Sequence, residues 1–228
     1  GKLFNQIELF RKNPDAGLVY SHALYYDDGE PTKKRFTHDE SNVAWMPKFT
    51  GKSWEIFPQQ YKRNIFVISS PLIKKSLIDR SGGFYDPLNW VEDWEFYLRI
   101  LGQNQLIVFD PSENSNSLIR VHKKSLSRNR VMMFEQSLIA RKRLITFLHQ
   151  MQLQGFENGN ELLHDNVSQE SFIYKLLYQQ TLEINKRKAF NYLFQYAKRK
   201  GDWLILIRFL LGIFNKKFPM LDRDALSE

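Results

Sequence analysis

The chain has 228 residues, 43% of them hydrophobic, with 18 Phe, 10 Tyr and 5 Trp: enough apolar material for a buried core and too much for a disordered polymer. There is no cysteine, which excludes disulfides, thiolate metal sites and cysteine nucleophiles and is compatible with a reducing compartment. The formal charge of +8 is unevenly placed: residues 1–119 hold 14 Lys and Arg against 15 Asp and Glu, a net of −1, and residues 120–228 hold 19 against 10, a net of +9. A basic tail on a neutral body points to a polyanionic partner or an anionic membrane surface, or more simply to solvated helix faces.

Residues 1–14 carry no long apolar run behind a basic start, so they do not form a signal peptide. They lack an initiator Met and enter at once into an amphipathic helix with Leu3, Ile7 and Phe10 on one face, so the parent protein is expected to continue upstream. That helix ends near Asn13-Pro14, because the residue before a proline avoids the helical region. Residues 17–26, rich in β-formers, read as one strand that stops at the turn Asp27-Asp28-Gly29. Residues 30–60, with Pro31, Pro47 and Pro58, read as a long, loosely structured connection. Residues 64–70 read as a short buried strand, and Pro71 as the first turn of a helix carrying Leu72, Ile73, Leu77 and Ile78.

The break Ser81-Gly82-Gly83-Phe84 asks for positive φ at a glycine. A helix over 92–101 ends at Gly102, and strands follow over 105–109 and 118–122. From about Ser127 onward the periodicity predicts helices over 132–154, 169–184, 188–200 and 203–214. The expected organisation is an α/β region over 1–127 followed by an all-α region over 128–228.

The strongest local feature is Glu92-Asp93 at the start of a helix, just after an aromatic and glycine-bearing loop. Acids there also cap a helix and favour its dipole, so the pair alone decides nothing. Its surroundings are more specific. In order come Ser70-Pro71, Gly82-Gly83-Phe84, Glu92-Asp93, Leu98-Arg99, Arg120-Val121-His122 and Ser125-Leu126-Ser127. This order resembles the inverting GT-A-fold glycosyltransferases of family 2. The start resembles them too: Lys2-Leu3, Gln6, Asn13-Pro14 and the Gly-Leu-Val-Tyr-Ser run over 17–21 look like the segment just after that family's metal-binding Asp-x-Asp loop. The likeness covers roughly residues 1–130.

The resemblance implies the carboxyl-terminal half of a Rossmann-like GT-A catalytic domain, with a helical tail. It implies that Asp93 is the general base of sugar transfer, with Glu92 beside it as structural or acceptor-binding support. Gly82, Gly83, Phe84, Trp94 and Arg120 match substrate-binding positions. Arg99 is expected to pair with Glu92 or Asp93. His122 matches a histidine that reaches the divalent metal on the donor diphosphate; Mn²⁺ accepts nitrogen more readily than Mg²⁺. The implied partners are a nucleotide-diphosphate sugar donor and a glycan, lipid-linked or protein acceptor, and the implied location is cytoplasmic or peripheral at the inner face of the membrane. The nucleotide-binding half with its Asp-x-Asp, which would hold most of the metal, would lie before Gly1. The chain alone is therefore expected to be inactive, with Leu18, Tyr20, Ile65 and Val67 left uncovered at a sheet edge.

In the tail, residues 203, 207, 210, 211 and 214 follow helical spacing, Arg208 interrupts the apolar run and Lys216-Lys217 end it. The run is too short to span a bilayer. It reads as a helix lying on an anionic membrane, or as one packed on the domain or on a second subunit. Lys186-Arg187-Lys188 and Lys198-Arg199-Lys200 leave open a basic binding module, with nucleic acid not the expected partner, or an inactive glycosyltransferase-like regulatory protein.

Overall fold

A computed structural model describes residues 1–37, 42–122, 125 and 129–215. Ser127, Lys216 and Lys217, and the side chain of Phe214, lie outside what it describes. In chain order the elements are helix α1 (Lys2–Lys12), strands β1 (Ala16–Tyr20), β2 (Ala23–Asp27) and β3 (Gly51–Lys52), helix α2 (Ser53–Lys62), strand β4 (Leu72–Ile73), and helices α3 (Lys75–Ser81) and α4 (Glu92–Leu101). Strand β5 (Leu106–Phe109), a 3₁₀ turn (Glu113–Ser115) and strand β6 (Ser117–Val121) follow, and then helices α5 (Arg130–Leu153), α6 (Gly159–Thr181), α7 (Lys186–Lys200) and α8 (Leu204–Asn215). The protein is mixed α/β with a small mixed sheet and a helical carboxyl-terminal part. It divides into two compact units, Gly1–Arg128 with His149–Asn158, and Asn129–Leu148 with Gly159–Glu228.

In the first unit one sheet runs in the order β3-β5-β1-β4, and β2 pairs with β6 in a second. Strand β1 lies parallel to β5 and antiparallel to β4, and β2 lies parallel to β6. All five residues of β1 are buried, as expected of a strand covered on both faces. Gly17 is required there, since a Cβ would meet the side chains of Leu77 and Gln105 at 2.9 Å.

Residues 17–26 are two strands rather than one. The chain leaves the first sheet at Ser21-His22 and enters the second, and at the crossing the buried Ser21 loses its ladder partners. Ser70 replaces them: its hydroxyl accepts from the Ser21 amide at 3.1 Å and donates to the Ser21 carbonyl. A polar seam continues outward, with Lys2 Nζ donating to the Ser69 carbonyl and to Ser117 Oγ, and Asn5 to Ser112 and Ser115.

Three further readings change. The connection over 30–60 contains β3 and most of α2; Pro58 sits inside α2, where proline ordinarily argues against a helix. Residues 64–70 form no strand. Gln60 Oε1 and Asn64 Oδ1 accept from the amides of Ile65 and Phe66, so side chains take the place of a ladder. Pro71 opens β4, not a helix. The edge contact with β1 persists to Lys74, whose amide donates to the Gly17 carbonyl at 2.9 Å, and α3 starts only at Lys75. Of the four residues expected to be uncovered, Leu18, Tyr20 and Ile65 are at most 1% exposed and Val67 is half-buried; β4 and β5 flank β1 within this chain.

In the second unit, Leu138 from α5, Ile173, Leu177 and Tyr178 from α6, Leu193 from α7, and Ile205 and Phe209 from α8 form a core. Helix α6 starts ten residues before the position that periodicity indicates. Its inward face carries Asn166 and Glu170, buried in a chain of contacts from Arg141 through Asn166 and Glu170 to Arg199. Over the first half of the helix this face, with Leu162 its main apolar residue, carries only a weak apolar signal.

Candidate active site

Helix α4 is entered through Val91, held in the left-handed region at φ 59°, which a β-branched side chain rarely adopts. Val91 gives no side-chain cap, and the acids of the first turn are Glu92, Asp93 and Glu95. Asp93 Oδ1 accepts from the Trp94 amide at 2.7 Å and Oδ2 from Asn64 Nδ2 at 3.0 Å. Burial, reinforced by the charge of Glu92, raises the Asp93 carboxyl above its ordinary range, and the hydrogen bonds from Trp94 and Asn64 only partly offset this. The result is a fixed carboxylate with a strengthened hold on a proton. One turn on, burial and then the charge of Asp93 push the Tyr97 hydroxyl upward, and that hydroxyl donates to the Ile68 carbonyl at 3.1 Å.

Gly82 and Gly83 both have positive φ, 81° and 69°, and a Cβ on either would meet nothing within 4 Å. The backbone path, rather than space, requires glycine here. Arg99 anchors this turn to α4. It donates to the carbonyls of Ser81 and Gly83, while Nε and Nη2 hold the buried Glu95 carboxylate at 2.9 and 2.8 Å. Its partner is therefore Glu95, rather than Glu92 or Asp93. Phe84 is half exposed, with its ring 4.6 Å from that of Phe96. Residues 92, 95, 96 and 99 share one side of a helix, so Glu92 heads the stripe on which the glycine turn rests. Asp93 lies about 100° around the helix, beside Asn64.

Trp94, expected to contact substrate, is 6% exposed, and its indole N–H donates to the Gln60 carbonyl at 2.6 Å. It locks α4 against α2. Arg120 is largely exposed on β6 and lies 3.7 Å from Asp28 at the end of β2. His122 follows β6 and its carbonyl accepts from the amide and hydroxyl of Ser125. The contacts described for these two residues lie around the β2–β6 pair, whereas Asp93, Asn64, Glu95, Arg99 and the glycine turn are joined to one another through α4. Among the described residues no group of three or more His, Cys, Asp or Glu side chains is placed to hold a metal ion.

Sequence alone does not point to Asn64, the neutral donor that orients Asp93, because residues 64–70 read as strand. Glu95 is different: its spacing of four from Arg99 is a local signal that marks the pair. Two more polar groups lie beyond the carboxyl ends of parallel strands β1 and β5. His22 Nε2 and Asp110 Oδ2 are buried with no hydrogen-bond partner among the described residues, and burial together with Lys48 lowers the His22 pKa, which favours a neutral imidazole. Comparison with family models, curated proteins and solved structures finds no match to this chain.

Proposed function

We propose that this chain supplies the catalytic-base and acceptor side of an inverting glycosyltransferase that uses a nucleotide-diphosphate sugar. The observation that carries the reading is Asp93: an oriented, half-buried carboxylate at a helix start whose affinity for a proton is raised by its surroundings. Inverting transfer needs one such group. As the acceptor hydroxyl oxygen forms its bond to the anomeric carbon, Asp93 takes the hydroxyl proton, and the bond to the diphosphate breaks with its electron pair leaving on the nucleotide. Glu92 raises the basicity of Asp93 through its charge. The Glu95–Arg99 clamp holds the Gly82-Gly83 turn and Phe84 against the same helix, with an exposed aromatic ring of the kind that packs on a sugar. Nucleotide and metal binding are assigned chiefly to a region preceding this chain.

The test is Asp93→Asn in the full-length protein, assayed for sugar transfer and for donor binding. The change keeps size and removes the proton acceptor. Turnover should fall by about 10²–10⁴-fold, with donor affinity within about twofold of wild type. Equal turnover in the two proteins rejects Asp93 as the base.

A further inference from the structure

Helix α8 has two apolar faces. Ile205 and Phe209 point inward, 5% and 1% exposed, into the core built with α6 and α7. Trp203, just before the helix, and Leu204, Ile207, Leu210 and Leu211 are 48–61% exposed. At 100° per residue these five occupy one continuous arc, and exposed Arg208 sits at its border. The arc extends onto α7: the Trp203 ring lies 5.9 Å from that of Phe194, itself 39% exposed. Around this apolar surface the charge is predominantly positive. Residues 186–211 contain seven Lys and Arg against one acid, Asp202, and Lys198, Lys200 and Arg208 are all exposed.

We propose that the outer face of α8 with the adjoining surface of α7 docks on an anionic phospholipid surface. Aliphatic side chains and a tryptophan beside a cationic rim match a membrane interface, where the apolar face enters the acyl boundary and the cations meet phosphate headgroups. The helix lies on the surface and does not cross it: no helix among the described residues is long and apolar enough to span a membrane. Charge disfavours a second copy as the occupant, because two-fold packing of this face would bring two predominantly positive surfaces together. Nucleic acid would satisfy the cations and leave the leucine and isoleucine surface uncovered. The inference does not rest on the sugar-transfer reading, and its test uses no sugar.

The full chain is floated with vesicles of phosphatidylcholine alone and of equal parts phosphatidylcholine and phosphatidylglycerol, at low and high salt. Binding is expected to be about tenfold or more stronger to the anionic vesicles and to weaken as salt rises. Ile207→Ser combined with Leu211→Ser, both at exposed positions, should lower that binding about tenfold without changing the helical circular dichroism. Lys198→Gln combined with Lys200→Gln should lower it about tenfold on anionic vesicles only. Binding to neither vesicle, equal binding to both, or binding untouched by the Ile207 and Leu211 changes overturns the proposal. So does a dimer, seen by light scattering, that those changes dissolve while vesicles remain unbound.

Discussion

At Asp93 two effects oppose each other. Two hydrogen bonds and a helix start favour the carboxylate, burial and Glu92 disfavour it, and burial wins. Because the folded-state pKa lies above the unfolded value, this group's contribution to stability is complete below the unfolded pKa and is lost as pH rises through the folded one. Asn at this position does not titrate. The stability of wild type minus that of Asp93→Asn, measured by urea unfolding, should therefore fall as pH rises from about 4 towards neutrality. A difference that stays flat or grows would mean that the hydrogen bonds outweigh burial. Val91, two residues earlier, bends the backbone into an unfavoured region at the entrance to the same helix, as positions supporting a site often do.

At the scale of elements, one hydroxyl bridges the crossing between β1 and β2. Ser21 and Ser70 are fully buried, and Ser70 satisfies both the amide and the carbonyl of Ser21. Ser70→Ala would leave two buried backbone groups without partners and should cost about 2–4 kcal/mol in chemical denaturation. A loss below about 0.5 kcal/mol would show that the seam around Lys2 and Ser117 holds the crossing without it. Helix α4, strands β5 and β6 and the tail helices α7 and α8 were legible to within two residues, because their apolar spacing, terminal glycines or β-branched runs are local signals. Helix α2 and the start of α6 were not. In α2 a proline hides the helix, and in the first half of α6 the buried face pairs Leu162 with the polar Asn166 and Glu170, whose reason for burial lies on α5 and α7.

At the scale of the molecule, each unit encloses apolar residues of its own: Ala16, Val19 and Val108 lie in the first, Leu177, Leu193 and Phe209 in the second. Leu18, Tyr20 and Ile65 are buried within this chain, while Val67 is half-buried. The part of the expectation that remains concerns the donor. Calorimetric titration of this chain with uridine and guanosine diphosphate sugars, with Mn²⁺ or Mg²⁺ present, should show no binding in the micromolar range. Micromolar affinity would place a complete donor site within these residues and overturn the division of labour proposed above.

Ordered short signals in the sequence determined much by themselves: an α/β body before a helical tail, the acid pair at a helix start, the double-glycine turn, and a basic apolar stretch near the end. All depend on residues close together along the chain. Tertiary structure decided what depends on partners far apart in sequence. Asn64 reaches Asp93 across 29 positions and Arg99 reaches Ser81 across 18; Ser70 reaches Ser21 across 49. It also decided which side of α8 is buried and which is left open, since both sides are apolar in the sequence. Hydrogen bonding and burial act through space, so a local pattern can name such residues only after the fold has brought their partners to them.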